Sequence, residues 1–229
     1  MTTTLVIALF AEGKTDERFL PILIQRVAEH LILNYGLRTV DVLEPILIAS
    51  PKAYDSNAER ILLLAQETAG YHMLVIHSDA DFPSAERAFA ERFQPGLDLI
   101  EQARLVGNSV CSHVLPIIPI QMTEAWMMAD ALTLHSVIGT RLTVNELGLP
   151  QAPQQVESIP RPKQALLDAV ELALRDRPRR RRHPQQEIVT LQEPLARQIR
   201  LDELRKVPAF RSFENALHLV LQDLRLVHE

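Results

Sequence analysis

One cysteine, Cys111, in 229 residues excludes an internal disulfide framework and any zinc site built on several thiolates. Cys111 lies in an apolar stretch, the setting of a buried structural thiol rather than of a nucleophile. Glycine is scarce too. Seven glycines leave little for cradling phosphates, and neither a Walker P-loop nor the glycine fingerprint for dinucleotides is present. No apolar run approaches the roughly 18 residues of a membrane span. The N-terminus also lacks the basic start and long apolar region of a secretory signal, so a cytoplasmic protein without membrane contact is expected.

What remains is an ordinary globular composition, 47% hydrophobic and 23% charged, long enough for one large domain or one domain with an appendage. The net charge of −5 argues against whole-surface attraction to nucleic acid, but its distribution is uneven. Residues 1–150 hold 10 basic against 18 acidic residues, and residues 151–229 hold 14 against 11. Such a split arises by chance on solvated faces, or from carboxylates gathered for a metal and cations gathered for phosphates.

LVIALF (5–10) is a continuous apolar run with β-branched residues, the pattern of a strand covered on both faces. Helical spacing follows over 15–32, with Phe19, Leu23, Val27 and Leu31 on one stripe. A second strand is predicted over 39–50, weakened by Pro45, and a helix over 57–70. MLVIHSDAD (73–81) predicts a third strand running into two aspartates, before a helical stretch to about 105 broken near Pro95 and Gly96. The prolines of 113–121 argue for a fourth strand at an edge or with an irregular end, and one helix is predicted over 122–138. Prolines and glutamines make 150–162 a linker or long surface loop; helices follow at 163–176 and 212–228, around a charged loop at 175–186. Alternating strands and helices define an α/β class with a mainly parallel sheet.

In such sheets ligand sites gather at the carboxyl ends of the strands. Glu12 falls at the end of the first strand, and Asp79 and Asp81 at the end of the third. Residues two apart in extended chain face one side, so both aspartates can address one ion. Oxygen ligands with no cysteine or clustered histidine favour Mg²⁺ or Mn²⁺ over zinc. Asp16, four residues after Glu12, leans back towards the same site if the turn between them is helix-like. Gly13 lets the backbone turn sharply there. His72 and His77, flanking the third strand, read as structural.

The run Glu12-Gly13-Lys14-Thr15-Asp16 after one strand, then Asp79-Ala80-Asp81 after a later one, resembles the Toprim domain. That domain is the catalytic fold of topoisomerases, primases and the overcoming-lysogenization-defect nucleases. PIIPIQMTEAWMMAD (116–130), with a later proline–lysine step and aromatic pair, resembles a bacterial family of uncharacterised Toprim-like proteins. These are often encoded near ATPases of mobile-element or phage-defence systems. The resemblance spans roughly 5 to 220. It implies a Toprim-like core over 1–150, about four mainly parallel strands flanked by helices, and a helical extension over 151–229 packed on it.

The same resemblance implies that Glu12, Asp79 and Asp81 hold a first Mg²⁺ (or Mn²⁺) with Asp16 assisting, and that Glu124, or less well Asp130, serves a second ion. Lys163 in IPRPKQAL matches the basic residue that approaches the scissile phosphate; on plainer grounds it is an exposed lysine at a helix start. Trp126, Phe210 and Phe213 read as core. The implied reaction is phosphodiester hydrolysis by a metal-dependent nuclease acting on DNA rather than RNA, with a separately encoded ATPase as partner and room for a homo-oligomer. Three tyrosines beside the early sheet segments, with no gate domain around them, do not suit a topoisomerase, and a primase needs far more chain. Arg179, Arg180, Arg181 and Arg182 suit phosphate-backbone contact or a merely solvated loop.

Two rivals remain. A nucleotide-sugar transferase also places an Asp-x-Asp after an apolar strand, but leaves Glu12 unexplained. A metal-binding adaptor of an ATPase would keep the carboxylates without catalysis.

Overall fold

The apolar run at the N-terminus forms two strands in line, β1 (Thr3–Leu5) and β2 (Ile7–Phe10). Between them the N–H of Val6 donates to Nδ1 of His72 at 3.1 Å instead of to a neighbouring strand. The computed structural model from which this follows describes residues 3–79, 84–175 and 183–228. The segment expected at 39–50 also divides, at Pro45, into β3 (Val40–Val42) and β4 (Ile46–Leu47), since proline has no N–H to give a ladder. β3 pairs with β1, and β4 with β2.

With β5 (Met73–His77) and β6 (Val114–Ile117), the described residues form a four-stranded sheet in the order β4-β2-β5-β6 beside the two-stranded β1-β3 pair, every pairing parallel. β6 is an edge strand, where Pro116 is tolerated opposite Ile76.

Alternation along these strands divides the core. Ile7, Leu9, Met73, Val75, Leu115 and Ile117 face α1 (Asp16–Tyr35) and the C-terminal helices. Ala8, Phe10, Leu74 and Ile76 face α2 (Asn57–Glu67) and α4 (Gln94–Leu105). The stripe Phe19, Leu23, Val27 and Leu31 of α1 is buried as its spacing predicts, and Cys111 is buried, which pushes its thiol pKa up. α2 is capped by Ser56, which accepts from the N–H of Glu59. It meets α4 closely enough at Gly96 that an added Cβ would stand 2.7 Å from Ile61.

No break occurs at Pro95. α3 (Ala85–Ala88) passes through a π turn (Phe89–Phe93) into α4, where the proline occupies the first turn and needs no N–H partner. The helix expected over 122–138 is instead two, α5 (Thr123–Met127) and α6 (Ala131–Ile138), divided where the Asp130 carboxylate accepts from the N–H of Thr133 and caps α6. The proline- and glutamine-rich stretch holds a 3-10 turn (Pro153–Ser158), fixed by fully buried Val156 and by Glu157 accepting from the N–H of Ala209.

α7 (Pro162–Ala173), α8 (Pro184–Gln198), α9 (Leu201–Leu204) and α10 (Pro208–Asp223) complete the chain. α8 begins inside the stretch expected to be a loop: Pro184 starts the helix, and Leu191, Leu195 and Ala196 are buried in the core that α1 shares. Arg26 of α1 donates to the carbonyls of Ala196 and Ile199 and closes the end of α8. Trp126 is fully buried edge-on against Phe210, with Phe213 beside it, so these three aromatics are core. Among the described residues no helix is long and apolar enough to cross a membrane.

Candidate functional site

Three parallel strands end at the same edge of the sheet, and the segments leaving them carry the polar groups. β2 leads into Glu12 and Gly13, β5 into Ser78 and Asp79, and β6 through a turn into Thr123 and Glu124. That last turn is made by Gln121, whose φ of 71° lies in the left-handed region, a conformation that costs a non-glycine residue energy and marks many functional turns. A cavity of about 250 Å³ opens here, lined by Glu12, Thr15, Asp16, Asp79, Glu124 and Lys163, with Gly13 and Met122. Five of the residues expected from sequence thus meet in one place. Asp81 and Arg179 to Arg182 lie outside the described residues.

Glu12 is held from two sides. Ser78 Oγ donates to its Oε2 at 3.1 Å, and Arg60 stands 3.7 Å from its Oε1. Arg92, carried by the π turn, donates to Ser78 Oγ at 3.1 Å and to the carbonyl of Asp79 at 2.8 Å, tying the end of β5 to the helix behind it. Gly13 is required by a close approach: a Cβ there would lie 2.8 Å from Oδ2 of Asp16.

His77 is fully buried between two of the carboxylates. Its Nδ1 lies 3.6 Å from Asp16 Oδ2, its Nε2 lies 3.4 Å from Asp79 Oδ1, and the Thr123 hydroxyl is 3.1 Å from Nε2. His77 Nδ1 and Asp79 Oδ1 are both buried without a hydrogen-bond partner. Burial opposes the imidazolium, but Asp79, Asp16 and Glu12 together outweigh it and raise the His77 pKa. Burial raises the Asp16 carboxyl above its usual value against the pull of His77 and Thr123, with Asp79 adding to the rise. Glu124 is raised by burial as well, with its own N–H opposing, Asp16 and Asp79 adding and Lys163 opposing.

His77 therefore stands at the site and not merely beside the strand, as its sequence context suggests. Ser78, Arg60, Arg92 and Thr123 join it, and nothing in their local sequence singles them out. Asp130 is employed elsewhere: its fully buried carboxylate takes two hydrogen bonds from the Arg200 guanidinium, at 2.8 and 2.9 Å.

The donors facing the cavity are oxygens, the chemistry of a hard cation. Burial, with the neighbouring carboxylates adding to it, raises Asp16 and Glu124 towards their neutral forms, and a bound cation opposes such a rise. Among the described residues, however, no three His, Cys, Asp or Glu side chains are gathered into a ready-made metal cluster.

Sheet and site define a parallel α/β protein with a carboxylate-lined cavity at its carboxyl edge. The chain belongs to the family described as a domain of unknown function, DUF4276, whose family model matches residues 11–218 and so takes in every segment that lines the cavity. No curated protein and no solved structure matches the chain.

Proposed function

We propose that the chain is a Toprim-type, metal-dependent nuclease that hydrolyses phosphodiester bonds in DNA. One observation carries this reading: Glu12 and Asp16 of one segment, with Asp79, Glu124 and Lys163 from three others, line a single cavity at the carboxyl edge of a parallel sheet. Glu12, Asp16 and Asp79, with Asp81, are the residues to hold Mg²⁺ or Mn²⁺, and Glu124 the residue for a second ion. When bound, such ions supply a nucleophilic water at neutral pH and stabilise the leaving oxygen.

The chain's own groups do the rest. Lys163 offers a cation next to Glu124 for a phosphate oxygen. Ser78, Arg60 and Arg92 hold Glu12 and the Asp79 backbone in place, and His77 with Thr123 sets Asp16 against Asp79. A partner ATPase and a phage-defence or mobile-element setting belong to the same proposal through the Toprim-like resemblance.

The test is cleavage of supercoiled plasmid and of single-stranded circular DNA with Mg²⁺ or Mn²⁺ by wild type and by Asp79→Asn, alongside thermal midpoints of both with and without the ion. Nicking that the variant loses, together with an ion-dependent rise in midpoint seen only in wild type, is expected. Absence of cleavage on DNA and RNA, with no rise in either protein, would overturn the nuclease.

A further inference from the structure

A second cavity, of about 210 Å³, adjoins the first and shares Thr15, Glu124 and Lys163 with it. Its remaining wall comes from α8: Gln185, Ile188, Val189 and Gln192. Gln192 is 1% exposed, and its Oε1 is buried without a hydrogen-bond partner. A buried acceptor left unpaired destabilises a fold, so one that lines a cavity calls for a donor from outside the chain. The volume lies below the roughly 300–1,000 Å³ that suits drug-sized ligands, and fits a single flat ring system better. Ile188 and Val189 give apolar surface for the ring, Gln192 gives an acceptor for its edge, and Lys163 stands where the two cavities join.

We infer that this second cavity takes the nucleobase adjoining the phosphodiester bound at the carboxylates, so that the substrate is presented as a single strand. The inference rests on the phosphodiester reading of the first cavity. A paired base cannot enter, because its faces are stacked and its edge is occupied; an unstacked base offers faces to apolar side chains and a donor-bearing edge to an amide. Lys163 then bridges base and phosphate positions of one nucleotide. A spacing of this kind, with the cation between an apolar slot and a carboxylate bowl, suits a nucleotide within a strand.

The experiment measures binding, not cleavage. Fluorescent single-stranded DNA, the same strand with abasic sites, and the matched duplex are titrated into the full chain by anisotropy at fixed salt, with Ca²⁺ replacing Mg²⁺. Wild type is expected to prefer the base-bearing strand over the abasic strand and the duplex by about tenfold or more, the discrimination one good side-chain–base contact supplies. Gln192→Leu is expected to lose that preference while its thermal midpoint holds or rises, since an unpaired buried polar group has been removed. Val189→Trp, at a half-exposed position that tolerates bulk, is expected to fill the cavity and lose the preference even if Gln192→Leu fails to fold.

Equal binding of base-bearing and abasic strands by wild type overturns the base pocket, as does a preference that survives both substitutions. Competition by deoxynucleoside monophosphates as strong as that by the strand also overturns it, in favour of a free nucleotide. The nuclease reading is judged separately by the plasmid assay, so cleavage without base preference sinks only the pocket, and base preference without cleavage sinks only the nuclease.

Discussion

The imidazole of His77 stands 3.6 Å from the carboxylate of Asp16, joining the last residue of β5 to the first of α1 behind the cavity that Asp16 lines. Because His77 also faces Asp79 and is wholly buried, it sets where two candidate ligands stand without facing the cavity itself. Replacing it by Leu leaves Asp16 and Asp79 without their shared partner. A loss of about 1–3 kcal/mol in the unfolding free energy, read as a lower urea midpoint, is expected, with His77→Gln recovering much of it. An unchanged midpoint in His77→Leu would mean that neither carboxylate depends on the imidazole.

Gly13→Ala is expected to keep the fold and impair the site. The new methyl meets the end of a short side chain, Asp16 Oδ2, at 2.8 Å, so the carboxylate is the part that moves. Under the nuclease proposal, displacing Asp16 by a fraction of an ångström is expected to lower cleavage, on the order of 10- to 100-fold. Thermal midpoint and turnover measured on one preparation separate the two effects.

Gly96→Ala makes the opposite prediction. Here the methyl meets the Cβ of Ile61 at 2.7 Å, in the packed layer between α2 and α4 and away from the carboxylates. Overpacking of this kind costs about 1–3 kcal/mol. Denaturant unfolding should show that loss, with cleavage per folded molecule unchanged.

Acid should loosen the C-terminal helices through Asp130. Burial opposes its ionisation, but the Arg200 side chain, Thr133 and the Arg200 N–H outweigh it and hold the carboxyl down to about 2, against a usual value of 3.8. A carboxyl with a depressed folded-state pKa stabilises fully above its unfolded value and loses that contribution as pH falls through the folded one. The contribution, on the order of 2 kcal/mol, is therefore present above about pH 4 and lost between pH 4 and pH 2. Arg200→Ala should remove the largest part of it at neutral pH as well, leaving a fully buried carboxylate with Thr133 and the residue-200 N–H as its partners. A stability–pH curve for Arg200→Ala that still falls as steeply as wild type below pH 4 would count against this assignment.

The strands and the first helix are legible because alternation and helical spacing are local. Glu12 and Asp79 are legible because a charge directly after an apolar run is conspicuous. His77 is hidden by the same logic: a histidine within an apolar strand looks like core, and only the approach of α1 and α5 shows what it faces. Arg60 and Arg92 reach the site from across the second helical layer, a relation no local spacing encodes. α8 is obscured by prolines at its start and at Pro194, although its apolar residues Leu191 and Leu195 keep helical spacing. Gln192 lies between the predicted helices, where the sequence reading assigns no element, and its burial shows only in the fold.

The grip of Arg26 on the end of α8 spans 170 positions of sequence. On the ribosome, the apolar stripe of α1 is therefore made early and covered late, once nearly the whole chain has emerged. Until then one flank of the nascent sheet is sticky and unfinished, and completion of the cavity wall coincides with its sealing. The helix that covers α1 is also the one that walls the second cavity.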